Sequence, residues 1–243
     1  MPALAPAALP PFAGFPKQGV PFFRALALAQ TKEWFGAHKA DYEKLWRTPM
    51  QSLLEELRTP LAKIYRHKLA APRVLRINRD VRFTNDKSPY KTHCSGMIGF
   101  EGATGPQAGP KSTIALYLQL GLDEEAGCGN YELEPALLPH FRRQVLAEPG
   151  GSKLARLLDE ARAHGHEPIS MSPLKRAPAG VPKDHPRVEI LRHKGLALSF
   201  GAIPKSVRYS AGLKEWLLEQ AGHAAPVMRW SLEHRIGAGA ADE

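Results

Sequence analysis

The densest run of chemically capable side chains lies between Arg73 and His93, where Arg73, Arg76, Arg79, Arg82, Lys87 and Lys91 stand against only Asp80 and Asp86. Cations at this spacing favour phosphates and carboxylates, arginine through paired hydrogen bonds and lysine as a point charge. On a strand, Arg76, Asn78, Asp80 and Arg82 would share one face at intervals of about 6 to 7 Å. Such a row can hold a planar oxyanion between two guanidinium groups, with Asp80 orienting one of them. Arg79 would then point toward the core with Ile77 and Val81. There it needs a buried carboxylate, or a β-bulge that turns it outward.

The candidate ligand-binding set is therefore Arg76, Arg79, Arg82, Lys87, Tyr90 and Lys91. Asp80, Asp86 and His93 are the candidates for proton transfer, since an imidazole beside cations stays neutral and suits a general base. A second basic segment holds Lys175, Arg176, Lys183, Arg187, Arg192 and Lys194 against Asp184 and Glu189. If the two segments meet in space they form one electropositive surface, and Lys175 and Arg176 join the binding set. Asp184-His185 before Pro186 reads either as an acid–base pair or as an ordinary helix start.

Three readings of this charge stay open. The Arg and Asp residues are a structural ladder of ion pairs, or a pocket for a small phosphate- or carboxylate-bearing molecule, or a surface that takes nucleic acid with Tyr90 and Phe83 stacking on bases. The interleaved Asp80, Asp86, Asp184 and Glu189 would repel a long polyanion and favour a small anion over a strand. No His-x-x-x-His helix, paired Cys-x-x-Cys or acidic cluster points to a metal, and no cofactor is expected. Gly-x-Ser-x-Gly and phosphate-loop patterns are absent, and Ser88 and Cys94 have no base at a diagnostic spacing.

The elements that must position these residues follow from periodicity. A short helix is expected over Val20 to Gln30. Another starts at Thr31 as N-cap, with Trp34, Phe35, His38, Tyr42, Leu45 and Trp46 at helical spacing. Thr48-Pro49-Met50-Gln51 has the form of a capping box opening a third helix, which Pro60 should restart or kink before Arg66. Alternation at Leu75, Ile77, Val81 and Phe83 predicts a strand from Arg73. A turn over Thr84 to Pro89, a partner strand from Lys91 to Phe100, a loop over Gly102 to Gly109 and a third strand from Ser112 to Asp123 follow it. Links this short make the sheet antiparallel. Helices return over Glu134 to Ala147 and Ser152 to His164, then a Pro-rich loop from Glu167 to Pro186 and a short helix to His193. A strand over Leu196 to Phe200 precedes two helices, Ser210 to Ala221 and Pro226 to Ile236. The expected class is α+β, a mainly antiparallel sheet flanked by N-terminal and C-terminal helices.

With 243 residues, 43% of them apolar, the chain can bury one large core. A single domain over 17–236 is expected, with a mobile tail at 1–16 and another at 237–243. The net charge of +9 favours anionic partners. Cys94 and Cys128 cannot make a disulfide framework, and reduced thiols fit a cytoplasmic protein. The apolar, Pro-rich start has no early Lys or Arg and is a poor signal peptide. No run approaches a membrane span, and the oligomeric state is not legible.

Residues Arg76 to Lys91, Arg-Ile-Asn-Arg-Asp-Val-Arg-Phe-Thr-Asn-Asp-Lys-Ser-Pro-Tyr-Lys, resemble the signature of the bacterial and fungal family known as domain of unknown function 2461. Glu33-Trp34-Phe35 with Lys39 and Tyr42 is similar to that family's N-terminal helix. Leu174 to Pro178 with Asp184-His185-Pro186 is similar to its C-terminal element. The likeness runs in order over roughly residues 17 to 232. It implies a single α+β unit in which both basic segments belong to one pattern, and it implies no activity. The chain departs from the pattern at Asn78, where an aromatic residue is usual, and at Gly127-Cys128-Gly129-Asn130, where a glycine run followed by a larger apolar residue is expected.

Overall fold

A computed structural model describes residues 9–82, 86–102 and 114–237. Phe83, most of the expected loop after Gly102, the start of the expected third strand at Ser112, and both chain ends (1–8 and 238–243) lie outside the described residues.

The architecture is α+β. Strands β1 (Arg73–Val74), β2 (His93–Gly99), β3 (Ile114–Gly121), β4 (Glu125–Gly129), β5 (Glu167–Ile169) and β6 (Ala197–Ser199) form one sheet. Its order is β1-β2-β3-β4-β6-β5, and every pairing is antiparallel. Helices α1 (Gly19–Leu28), α2 (Lys32–Tyr42) and α3 (Thr48–Tyr65) precede it. Helices α4 (Leu138–Leu146), α5 (Gly150–Ala163), α6 (Val188–Arg192) and α7 (Leu213–Glu233) come later.

Alternation on β3 divides the sheet into two faces. Leu116, Leu118 and Leu120 are buried under the helices, while Tyr117 and Gln119 are only partly covered on the other side. The helical layer is held close. The Tyr65 hydroxyl on α3 donates to the Ala115 carbonyl at 2.8 Å, and a Cβ at Gly96 would lie 2.5 Å from Leu54. Helix α7 joins the same layer, with Arg229 donating to the Ile64 carbonyl and the Trp230 indole to the Gly150 carbonyl. Cys94 and Cys128 are buried free thiols beneath these helices, and burial pushes each up to about 12.

Several expectations need correction. Thr31 is an N-cap as foreseen, accepting from the Trp34 N–H at 3.1 Å. Thr48 is not one, because helix runs without a break from Lys32 to Tyr65 through a π-helical turn at Glu43–Arg47. In a regular α turn the Pro49 ring would collide with the Leu45 carbonyl, and the wider turn lies at that carbonyl. Pro60 lies inside α3 and Pro226 inside α7, each without ending the helix, so the last two expected helices are one. Strands β4 and β5 lie where no strand was expected, β5 within the expected Pro-rich loop. Residues 9–16, expected as part of a tail, pack instead. Phe12 and Phe15 are buried, the Phe12 N–H donates to Glu56 at 2.6 Å, and the Phe15 N–H to the Tyr209 carbonyl at 2.8 Å.

The largest departure concerns the basic hairpin. Regular pairing of β1 stops at Val74, opposite Gly96, and the next bridge joins Asn78 to Tyr90. Residues 75–77 therefore face residues 91–95, so the bulge belongs to the second segment, while exposure along 76–82 still alternates. Hydrogen bonds from the Leu75 N–H to the Ser95 carbonyl, from Lys91 to Ile77 and from Arg79 to Pro89 keep the two segments together. No helix among the described residues is long and apolar enough to cross a membrane.

Candidate functional site

Exposure alternates along 76–82, with Arg76, Asn78, Asp80 and Arg82 exposed and Ile77, Arg79 and Val81 more covered, but regular strand ends at Val74 and Asp80 turns onto Arg82. Arg79 lies on the more covered side with Ile77 and Val81, its Nε buried. Its side chain is 29% exposed and pairs with Asp86 at 2.5 Å. Asp86 also closes the turn, accepting from the Ser88 N–H at 2.9 Å and from its hydroxyl. Those bonds, with Arg79 beside them, hold its carboxyl below the usual range. Asp80 grips its neighbour Arg82 through both oxygens, at 3.0 and 2.7 Å. That contact holds Asp80 far below an ordinary carboxylate. Lys87 donates to the Val81 carbonyl at 2.9 Å. Asp80 and Asp86 are thus committed acceptors in a folded loop and poor proton acceptors at neutral pH.

Tyr90 is buried. It stacks on Phe35 of α2 with ring centroids 4.5 Å apart, and Gln30 clasps its backbone at both N–H and carbonyl. The hairpin is thereby fastened across the end of α2, and a groove of about 600 Å³ runs between them. Arg76 and Asn78 line one wall. Lys32, Gly36, Lys39 and Arg47 line the other, and Phe35, Tyr42 and Tyr90 make an aromatic floor. The only carboxylate on the lining is Glu43, which Arg47 already holds at 3.2 Å. A Cβ on Gly36 would meet nothing within 4 Å, so the groove is open above that position.

Positive charge accumulates here with only partial compensation, since Glu43 is bonded to Arg47 and Asp80, which feels Arg76, is bonded to Arg82. The side chains of Arg76 and Lys91 have no hydrogen bond or ion pair among the described residues. Burial, then Arg76, then Arg79 depress the Lys91 ammonium. His93 follows on β2, where burial and the Lys91 charge push its imidazole down to about 4, and its buried Nδ1 has no partner. It is neutral at physiological pH, as foreseen, but it does not line the groove.

The second basic segment lies elsewhere. It follows β5, at the sheet edge opposite β1, and neither Lys175 nor Arg176 lines the groove; both are exposed. Arg187 is a structural anchor, bonded to Glu148 at 2.5 Å, to Ser152 at 3.0 Å and to the Leu146 carbonyl at 3.2 Å. Arg192 pairs with Glu189 at 2.7 Å. The His185 ring accepts from the Arg187 N–H at 3.1 Å, which fits the helix-start reading of Asp184-His185.

Sequence reasoning missed Lys32, Lys39 and Arg47. Their signal was present, since Lys32, Gly36, Lys39 and Glu43 recur every three or four residues and so share one stripe of the helix. Among the described residues no three His, Cys, Asp or Glu side chains gather as a metal site.

A family model described as a conserved hypothetical protein, DUF2461, matches residues 18–230. Comparison with the curated proteins found no match.

Proposed function

Since the chain belongs to the DUF2461 family, and the match spans both α2 and the basic hairpin, we propose that the groove between them binds a small phosphate- or carboxylate-bearing molecule. One observation carries this reading. Lys32, Lys39, Arg47 and Arg76 converge on one hollow whose single carboxylate is already bonded. Placing like charges together is unfavourable unless an anion neutralises them, and a guanidinium offers that anion two parallel bonds. Arg76 is the main ligand, Lys32 and Lys39 are flanking charges, and Lys91 reinforces the field from behind. Arg79, Arg82, Lys87, Asp80 and Asp86 shape the loop that presents Arg76. The aromatic floor suits the body of a metabolite. Among the described residues the groove is lined by no histidine or cysteine, and its one carboxylate is bonded to Arg47, so the reading is of binding.

The test is calorimetric titration of citrate, inorganic pyrophosphate and a set of sugar phosphates into the whole protein, its Arg76→Ala variant and its Gly36→Glu variant. At least one anion should bind and should raise the melting temperature, since a ligand at a hundred times its Kd adds about 2.7 kcal/mol. Gly36→Glu puts a carboxylate into open space on a helix that it also favours, so it should fold and lose the anion. No binding by any of them, or unchanged binding in both variants, refutes the reading. Binding of single-stranded nucleic acid that falls steeply with salt, where the small anions fail, would replace it with the polyanion reading.

A further inference from the structure

The face of the sheet turned away from the helices holds a second cleft, of about 330 Å³, at the small end of ligand pockets. The backbone of Gly127 and Gly129 is its floor. Leu75, Met97 and Ile114 line it on the β1 side, and Ile169, Met171 and Ala197 on the β5 side. Among the described residues the polar side chains on the lining are Tyr117, Tyr131, Glu125 and Glu132, and no lysine, arginine or histidine is with them. In a chain of net charge +9, this hollow reverses the prevailing sign.

Glu125 is the decisive group. The register places it beside Gln119 and, one strand further, Ser95 on the same face. Gln119 already accepts from the Tyr117 hydroxyl at 2.7 Å, so that proton is not donated to the carboxylate. The Glu125 side chain is half-buried and makes no hydrogen bond or ion pair among the described residues, and burial alone pushes its carboxyl up. An acceptor left this way costs free energy that a cation from outside would recover. A metal ion is a poor fit, because hard cations need more oxygen ligands than this wall supplies. The apolar and aromatic surroundings instead suit an organic cation, whose charge the tyrosine faces also attract.

We propose that this cleft binds a small primary amine with a compact aromatic or branched aliphatic body, its ammonium on Glu125 and its body between Met97, Tyr117 and Ile169. The site shares only the Leu75 side chain with the anion groove, and the proposal does not depend on that groove's function.

The test titrates 2-phenylethylamine, tryptamine and isoamylamine into the whole protein by calorimetry. Phenylacetate, indole-3-acetate and 2-phenylethanol serve as matched acids and neutral control. At least one amine should bind at millimolar concentration or below, and its acid counterpart should not. Glu125→Gln should weaken the amine at least tenfold. Met171 is 62% exposed at the mouth, so Met171→Lys should fold normally and place a rival ammonium beside Glu125, with a comparable loss. Gly36→Glu, in the other groove, should leave the affinity unchanged. The proposal is overturned if no amine binds, if the alcohol binds as tightly as the amine, or if folded Glu125→Gln or Met171→Lys retains full affinity.

Discussion

Replacing Arg187 by alanine should destabilise the protein by about 3 kcal/mol, whereas the same change at Arg76 should move stability by no more than about 0.5 kcal/mol. The Arg187 side chain is only 9% exposed, and Glu148 beside it is 57% exposed. Glu148 regains water when its partner leaves, so it is left out of the sum. What is lost are the charged-donor bonds to Ser152 at 3.0 Å and to the Leu146 carbonyl at 3.2 Å, each worth about 1.5 kcal/mol. For a chain of this size the melting temperature should then fall by about 6 to 12 °C. Arg76 is exposed, makes no hydrogen bond or ion pair among the described residues, depresses the Lys91 ammonium and only weakly favours the Asp80 carboxylate from a distance, so the fold depends on it little. Urea and thermal unfolding of the two variants in parallel measure the difference. If Arg76→Ala costs as much as Arg187→Ala, the cations of the groove are part of the scaffold, and the division between anchoring and presented arginines fails.

Other outcomes follow from the same structure. Gly96→Ala should cost about 1 to 3 kcal/mol in urea denaturation, because the added carbon would meet Leu54 at 2.5 Å and Met50 at 3.1 Å. Stability should fall as pH drops from about 6.5 toward 4, since His93 titrates near 4 when folded and near 6.5 when unfolded, so the unfolded chain binds the extra proton in that window. His93→Asn should flatten that part of the curve of melting temperature against pH. Both thiols, buried and pushed up to about 12, should resist a thiol reagent such as dithionitrobenzoate in the native protein at pH 8 and react once urea unfolds it.

The helical and sheet content was largely legible where periodicity was long. Leu116, Leu118 and Leu120 mark β3 unambiguously, and Thr31 marks the start of α2. The failures have physical causes. Gly127-Cys128-Gly129 looks like a turn, yet it is a central strand whose neighbour approaches so closely that a Cβ at Gly127 would lie 2.4 Å from the Leu198 carbonyl. Pro168 hides β5, a strand at the sheet edge where proline is tolerated. Pro60 and Pro226 do not stop their helices, because packing of Leu57, Leu61, Val227 and Trp230 outweighs one lost bond. The candidate site was half visible. Arg76 and its loop are visible in composition, but which cation meets which acid depends on how the loop folds, and there Asp86 takes Arg79 and Asp80 takes Arg82. Lys39 stands out in the sequence only through the family likeness, and Lys32 not at all, because the polar stripe of an amphipathic helix is ordinarily just its solvated face.

The π-helical turn at Glu43–Arg47, where the Thr48 N–H reaches back to Glu43, amounts to one residue beyond what a plain α-helix needs. Deleting a single position there would let α2 and α3 fuse into regular helix and rotate everything upstream by about 100°. Lys32 and Lys39 would swing away from Arg76 while both helices stayed intact. The orientation of the cationic wall is thus set by chain length at one turn, and a one-codon change could erase the groove without touching any residue that lines its far side.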